Sequence, residues 1–158
     1  MVFEEYFKGH KYQWNRPKHH GEIVDWSKDD LHNLMSAAKS VTSASVGIAI
    51  DKGYIKSVDQ SIFDYLPYHQ HLKVGGKDKI TIEHLLTMTS GLKWNEWRAP
   101  LSSKRNDLVE LWFLDKDPVT AILERPLVNE PGKEFTYSGA NMILLCEIII
   151  YATNMNFD

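Results

Sequence analysis

Only one cysteine, Cys146, occurs in the 158 residues, so an intrachain disulfide framework is excluded. It lies in the apolar run MILLCEIII, residues 142–150, which suits a buried, inert thiol better than a nucleophile. Long hydrophobic runs are lacking too: this one is too short for a bilayer, which takes ~20 apolar residues. The opening MVFEEYFKGH has acids where a secretory signal would have bases followed by an apolar stretch, so no targeting segment is visible. Charge of one sign is also scarce. Eighteen basic against twenty-one acidic residues leave a formal charge of −3, which offers no electrostatic footprint for nucleic acid or anionic lipid. Repeats, low-complexity segments and a composition shift that would mark a linker are all missing. The length suits one domain or part of one, long enough to bury a real core.

The histidines lack metal-ligand spacing. His10, His19 and His20 are scattered through a polar, turn-rich stretch, and His69 and His71 form a His-x-His with no cysteine or carboxylate at a fitting distance. Solvated loop histidines are expected there, and no metal site.

What is present centres on Asp30 to Gly53, DLHNLMSAAKSVTSASVGIAIDKG. Ser36 and Lys39 form an S-x-x-K. If Ser36 opens a helix, residues three apart share a face, and the Lys39 amine can approach the Ser36 hydroxyl as base beside nucleophile. Apolar residues from Ala37 to Ile50 cover nearly every side, which predicts a helix buried all round, with Gly53 at a left-handed stop. An amine in such an element is partly desolvated, which favours its neutral, proton-accepting form. The unpaired amides of the first turn favour negative charge developing near Ser36. The alternative is a serine that only caps a helix. A second S-x-x-K, Ser90 to Lys93, falls where a helix should be ending and lacks the geometry.

Elsewhere, residues 1–30 read as irregular. MVFEEYF could be the end of a strand, but no partner strand stands nearby. Asp59 is a candidate cap for a short helix that Pro67 ends. Thr81 is the expected N-cap of the next helix, with Glu83 in its first turn and His84 packed in the core. The loop from Leu92 to Arg105 carries Trp94 and Trp97, which either line a substrate cleft or pack the loop onto the body. Asp107–Leu114 is an expected short helix, and Asp117-Pro118 an N-cap and N1 pair. After the turn Glu130-Pro131-Gly132, Tyr137 stands just ahead of a second wholly apolar helix, about Ala140 to Tyr151.

Three blocks then carry a resemblance. SAAKSVTSASVGIAIDKGYIKSVDQSIFDYLP, KDKITIEHLLTMTSGLKW and NEPGKEFTYS, in that order, resemble the serine β-lactamase-related hydrolases: class C β-lactamases, D-alanyl-D-alanine carboxypeptidases and similar esterases. Together they are spread over most of the length from residue 30 to 150, between Ser36 and Ser138. The resemblance implies an α+β fold in which an antiparallel sheet packs on a helical region, this chain being mainly the helical region with the active-site helix. The expected division is a strand remnant and loop over 1–30 and the helical region over 31–158, within one partial domain. It implies Ser36 as acylated nucleophile, Lys39 as its base partner, Tyr137 of Tyr137-Ser138-Gly139 as a partner in proton transfer, and the Ser36 amide as one oxyanion donor.

It further implies an acyl-enzyme mechanism without metal or cofactor. The substrate class is a small-molecule ester, amide, β-lactam or peptide. Relatives often work in the periplasm or outside the cell; localisation is otherwise unread. Gly139 replaces the asparagine of class C enzymes, and Ala38 the threonine many members carry. The family's third motif, a Lys/His-Thr/Ser-Gly on a sheet strand, is not found before Asp158, so the expectation is an interior fragment, inactive alone and prone to associate. Two other classes stay open: a non-catalytic, penicillin-binding-like sensor module, and a helical interaction domain whose Ser36 is a cap.

Overall fold

The computed structural model describes residues 4–12, 20–31 and 34–155, in two compact units divided between Met35 and Ser36. The first is a two-stranded antiparallel ribbon, β1 (Lys8–Tyr12) and β2 (His20–Asp25). Lys8 pairs with Asp25 and His10 with Ile23, and the register shifts between His10 and Tyr12. The stretch read as irregular therefore holds a hairpin. Its strands are mostly polar, and Ile23 is exposed, so the period-2 alternation that announces a half-buried strand is absent. At Gly21 a side chain would run into the Lys11 carbonyl, which accounts for glycine there. Of MVFEEYF, residues 4–7 precede β1 without joining it, and residues 1–3 lie outside the described residues, as does His19.

The second unit is helical. A 3-10 turn, Met35–Ala37, leads into α1 (Ala38–Asp51), and Gly53 takes the expected left-handed conformation (φ 76°) just past its end. α2 (Ile82–Leu86), α3 (Asp107–Leu111) and α4 (Pro118–Leu123) are short, and α5 (Gly139–Thr153) is the longest helix described. α5 packs against α1, α2, α4 and the 3-10 turn Ile62–Tyr65. Its Leu144, Leu145 and Ile148 are fully buried among Ile62, Ile82, Leu85, Ile122 and Leu123. Each such side chain contributes about 1.5–3 kcal/mol relative to exposure.

α1 departs from expectation. Only Thr42, Val46 and Ala49 are buried, one stripe at i, i+4, i+7 facing α5, whereas Val41 and Ile48 are 55% and 56% exposed. The composition is apolar all round, but within this unit only one face meets a neighbour.

The local signals are mostly side-chain caps. Thr81 caps α2 as expected: its hydroxyl accepts from the His84 amide and His84 Nδ1 accepts from the Thr81 amide, a reciprocal box with histidine at N3. His84 thus serves the cap rather than a purely apolar core. Ser61, not Asp59, caps the Ile62–Tyr65 turn, and Pro67 opens a further 3-10 turn, Pro67–Leu72, instead of only ending the preceding one. α3 is capped by Asn106 and stops at Leu111, short of the expected Leu114.

Asp117 caps α4 with Pro118 at N1. Its Oδ2 accepts from the Thr120 amide (2.7 Å), the Thr120 hydroxyl (2.7 Å) and His69 Nε2 (2.9 Å). His69, expected in a solvated loop, is therefore buried in a tertiary contact. Among the described residues no helix is long and apolar enough to cross a membrane, and no group of three or more His, Cys, Asp or Glu is placed to hold a metal ion.

Burial alone would raise the Asp117 carboxyl, but the Thr120 hydrogen bonds and the His69 ring outweigh it and hold it below the usual carboxylate range. A folded-state value below the unfolded one stabilises above the ordinary carboxylate pKa of ~3.9, and that contribution is lost as pH falls through the lower folded value. Urea unfolding across pH 2–7 should give a shallower acid limb for Asp117→Asn, and Asp117→Ala should cost about 1 kcal/mol at neutral pH. Separately, the exposed apolar face of α1 should make the isolated 158-residue chain self-associate, read by light scattering after size exclusion, and Val41→Glu with Ile48→Lys should reduce that association.

Candidate active site

Ser36 sits in the middle of the Met35–Ala37 turn, directly after Met35, whose φ of 47° is left-handed and uncommon for a residue with a side chain. The α1 N-cap position is Ala37, not Ser36, and the Ser36 hydroxyl instead meets Lys39 and Tyr137. Lys39 follows one turn later on the same face. Its Nζ donates to Ser36 Oγ at 3.3 Å.

Tyr137 arrives from the other end of the chain. The segment before α5 is tied to the end of α2, where the Gly132 amide donates to Thr89 O and the Thr136 amide to Met88 O, both at 2.8 Å. These bonds bring Tyr137 Oη to 2.8 Å from Ser36 Oγ across 101 residues of sequence, and Lys39 Nζ stands 5.1 Å from the Tyr137 ring centroid. A hydroxyl held by an amine and a phenol has two routes along which its proton can leave. Ser36 is exposed, so an electrophile can reach it, and it lies at the amide-rich start of a helix. Lys39 is only half-buried, because α1 is covered on one face alone. The desolvation expected from an all-round apolar helix is therefore smaller in this unit.

The two tryptophans part company. Trp97 is 78% exposed and its ring lies 5.6 Å from that of Tyr137, tilted by 40°. Trp94 does not share that surface: it is 6% exposed, its indole N–H donates to Glu96 Oε2 (2.9 Å), and the Arg125 guanidinium lies 4.8 Å from its ring centroid. Ser90, in the second S-x-x-K, is buried and donates to Asn141 Oδ1 (3.0 Å). Cys146 is half-buried, and burial pushes its thiol up, only partly opposed by the Thr42 hydroxyl, in keeping with an inert role.

Several supporting residues escaped sequence reasoning. Asn106 is fully buried and its Nδ2 donates to the carbonyls of Glu96 (2.5 Å) and Ala99 (2.7 Å). Asp107 accepts from the Asn95 amide (2.7 Å) and Arg98 (2.7 Å) and pairs with Arg125 (3.3 Å). Asn141, inside the helix read as wholly apolar, is fully buried and joins α5 to Ser90 and the Leu85 carbonyl. A polar residue immediately before an apolar run was a usable cap signal for Asn106. Nothing local marks Asp107 or Asn141, since their partners are distant in sequence.

The Beta-lactamase family model matches residues 6–158. This chain belongs to the beta-lactamase family. Among curated relatives, this beta-lactamase family chain is 29% identical over 138 residues to "Acyltransferase mokF" of Monascus pilosus, covering 79% of this chain and 33% of that protein. It is 27% identical over 135 residues to "Protein flp" of Staphylococcus aureus (strain COL), covering 85% and 26% respectively. A solved D-stereospecific amidohydrolase from Streptomyces sp. shares the fold with a TM-score of 0.59 at 21% identity, covering 86% of this chain and 43% of that one. The chain thus spans about a third of the length of the first curated relative it matches. The α+β family fold is represented here mainly by helices, with two strands among the described residues.

The loop bearing Trp94 and Trp97 depends on the buried Asp107. Asp107→Ala would leave Arg125, largely buried, with one carboxylate partner fewer, and should destabilise the helical unit by about 3 kcal/mol, measured by urea unfolding.

Proposed function

We propose that the full-length protein is a serine hydrolase of amide or ester bonds in small molecules or peptides, working through an acyl-enzyme on Ser36. The observation that carries this reading is the convergence of Lys39 Nζ and Tyr137 Oη on Ser36 Oγ, at 3.3 and 2.8 Å. Ser36 Oγ bonds the substrate carbonyl carbon as its proton passes to Lys39 or Tyr137. That proton goes on to the departing amine or alcohol while the C–N or C–O bond breaks. Water then adds to the acyl carbon, gives up its proton along the same route, and releases the acid as Ser36 regains its hydrogen. The Ser36 amide, in the turn that leads into α1, would donate to the oxyanion.

Family membership supports the reaction class, and relatives with transferase names fit the same first half-reaction. The names "Acyltransferase mokF" and "Monacolin J acid methylbutanoyltransferase" of Aspergillus terreus denote transfer of an acyl group, for which an acceptor other than water would resolve the intermediate. Trp97, exposed beside Tyr137, is the aromatic surface available to a substrate next to the reacting groups. Trp94 supports that loop from within.

Full-length protein treated with a fluorescent fluorophosphonate should be labelled at Ser36, located by mass spectrometry. Ser36→Ala should abolish labelling, and Lys39→Ala and Tyr137→Phe should each slow it by about 10²-fold or more. A folded protein that is never labelled would instead favour the non-catalytic sensor module. Labelling without subsequent turnover would favour a sensor that retains an acylatable serine.

A further inference from the structure

Glu96 is 9% exposed, yet its carboxylate is not idle. Two N–H donors converge on the same oxygen, Oε2: the Trp94 indole at 2.9 Å and the backbone amide of Gly139, the first residue of α5. An anion there faces the positive end of a 15-residue helix and satisfies an amide that the helix itself leaves unpaired. Gly139 is fitted to it. A Cβ at that position would stand 3.1 Å from both carboxylate oxygens, so the space a side chain would need is where Glu96 sits.

The residues on either side connect this contact to the site. Gly139 follows Tyr137 by two positions, and Trp97, next to Glu96 in the chain, lies 5.6 Å from the Tyr137 ring. Asn106 Nδ2 donates to the Glu96 backbone carbonyl. Residues 96 and 97 therefore hold Tyr137 twice, by the backbone that leads into α5 and by the ring.

We propose that Glu96 is a positioning residue for Tyr137: its carboxylate fixes the first turn of α5 and so sets the phenol against Ser36. The inference rests on the role of Tyr137 proposed above. It is tested in the full-length protein with Glu96→Asp, which withdraws the carboxylate by one methylene, and Glu96→Gln, which keeps an oxygen for both donors. Each is measured alone and with Tyr137→Phe. Fluorophosphonate labelling at Ser36 should slow by about tenfold to a hundredfold in Glu96→Asp and stay within about threefold of wild type in Glu96→Gln. In the Tyr137→Phe background Glu96→Asp should add no further loss, because a residue acting through another is not additive with it. Wild-type labelling by Glu96→Asp, or an equal loss with and without the Tyr137 hydroxyl, overturns the inference. A second readout needs no acylation: with 3-fluorotyrosine placed at 137, the 19F resonance should move in Glu96→Asp and hold in Glu96→Gln. An unmoved resonance in Glu96→Asp overturns the positioning role even if Ser36 is never labelled, and absence of labelling with a moved resonance counts against the hydrolase reading alone.

Discussion

Burial of α5 is the constraint on which the rest of the helical unit depends. Its apolar side chains have no other place to go, and they draw α1, α2, α4 and the Ile62–Tyr65 turn around one axis. Because α1 rests on α5 along Thr42, Val46 and Ala49, the start of α1 comes to lie near the start of α5. The meeting of Ser36 with Tyr137 at 2.8 Å is a consequence of that packing. A hydrogen bond between two exposed or half-exposed side chains contributes only about 1 kcal/mol and could not by itself order the 100 residues between them.

A buried helix start creates a second requirement. Ser138, Gly139, Ala140 and Asn141 are all buried, so the first amides of α5 must find partners inside the protein. Glu96 supplies one, and Asn141 binds Ser90 and the Leu85 carbonyl from the helix's first turn. Glu96 can be buried because Trp94 and Gly139 donate to it, and its loop can turn inward because Asn106 and Asp107 take up that loop's backbone groups. Asp107 in turn is tolerated because Arg98 and Arg125 face it. The polar network beneath the tryptophan loop is thus a chain of mutual satisfaction, ending at the surface where Trp97 meets Tyr137.

The elements legible in the sequence were those with local causes. Gly53 stops α1, Thr81 caps α2, Asp117-Pro118 opens α4, and the apolar run announces α5, each through residues a few positions apart. The hairpin was missed because polar strands paired through their backbones leave no alternation to detect. For α1, apolar composition says which residues can be buried, not which face finds a neighbour, and only one face does. Likewise Trp94 and Trp97, three apart in one loop, have opposite environments that no local pattern separates.

By itself the sequence determined which groups could do chemistry: a serine one turn before a lysine, a tyrosine before an apolar helix, and the three blocks that place the chain in its family. Spacing along a helix is enough to bring Lys39 to Ser36, since residues three apart on a helix share a face. Only the tertiary structure decided that Tyr137 joins them, that Trp97 and not Trp94 stands beside it, and that Glu96 fills the space left by Gly139. Those contacts join segments far apart in the chain, and the packing of apolar faces is what brings those segments together.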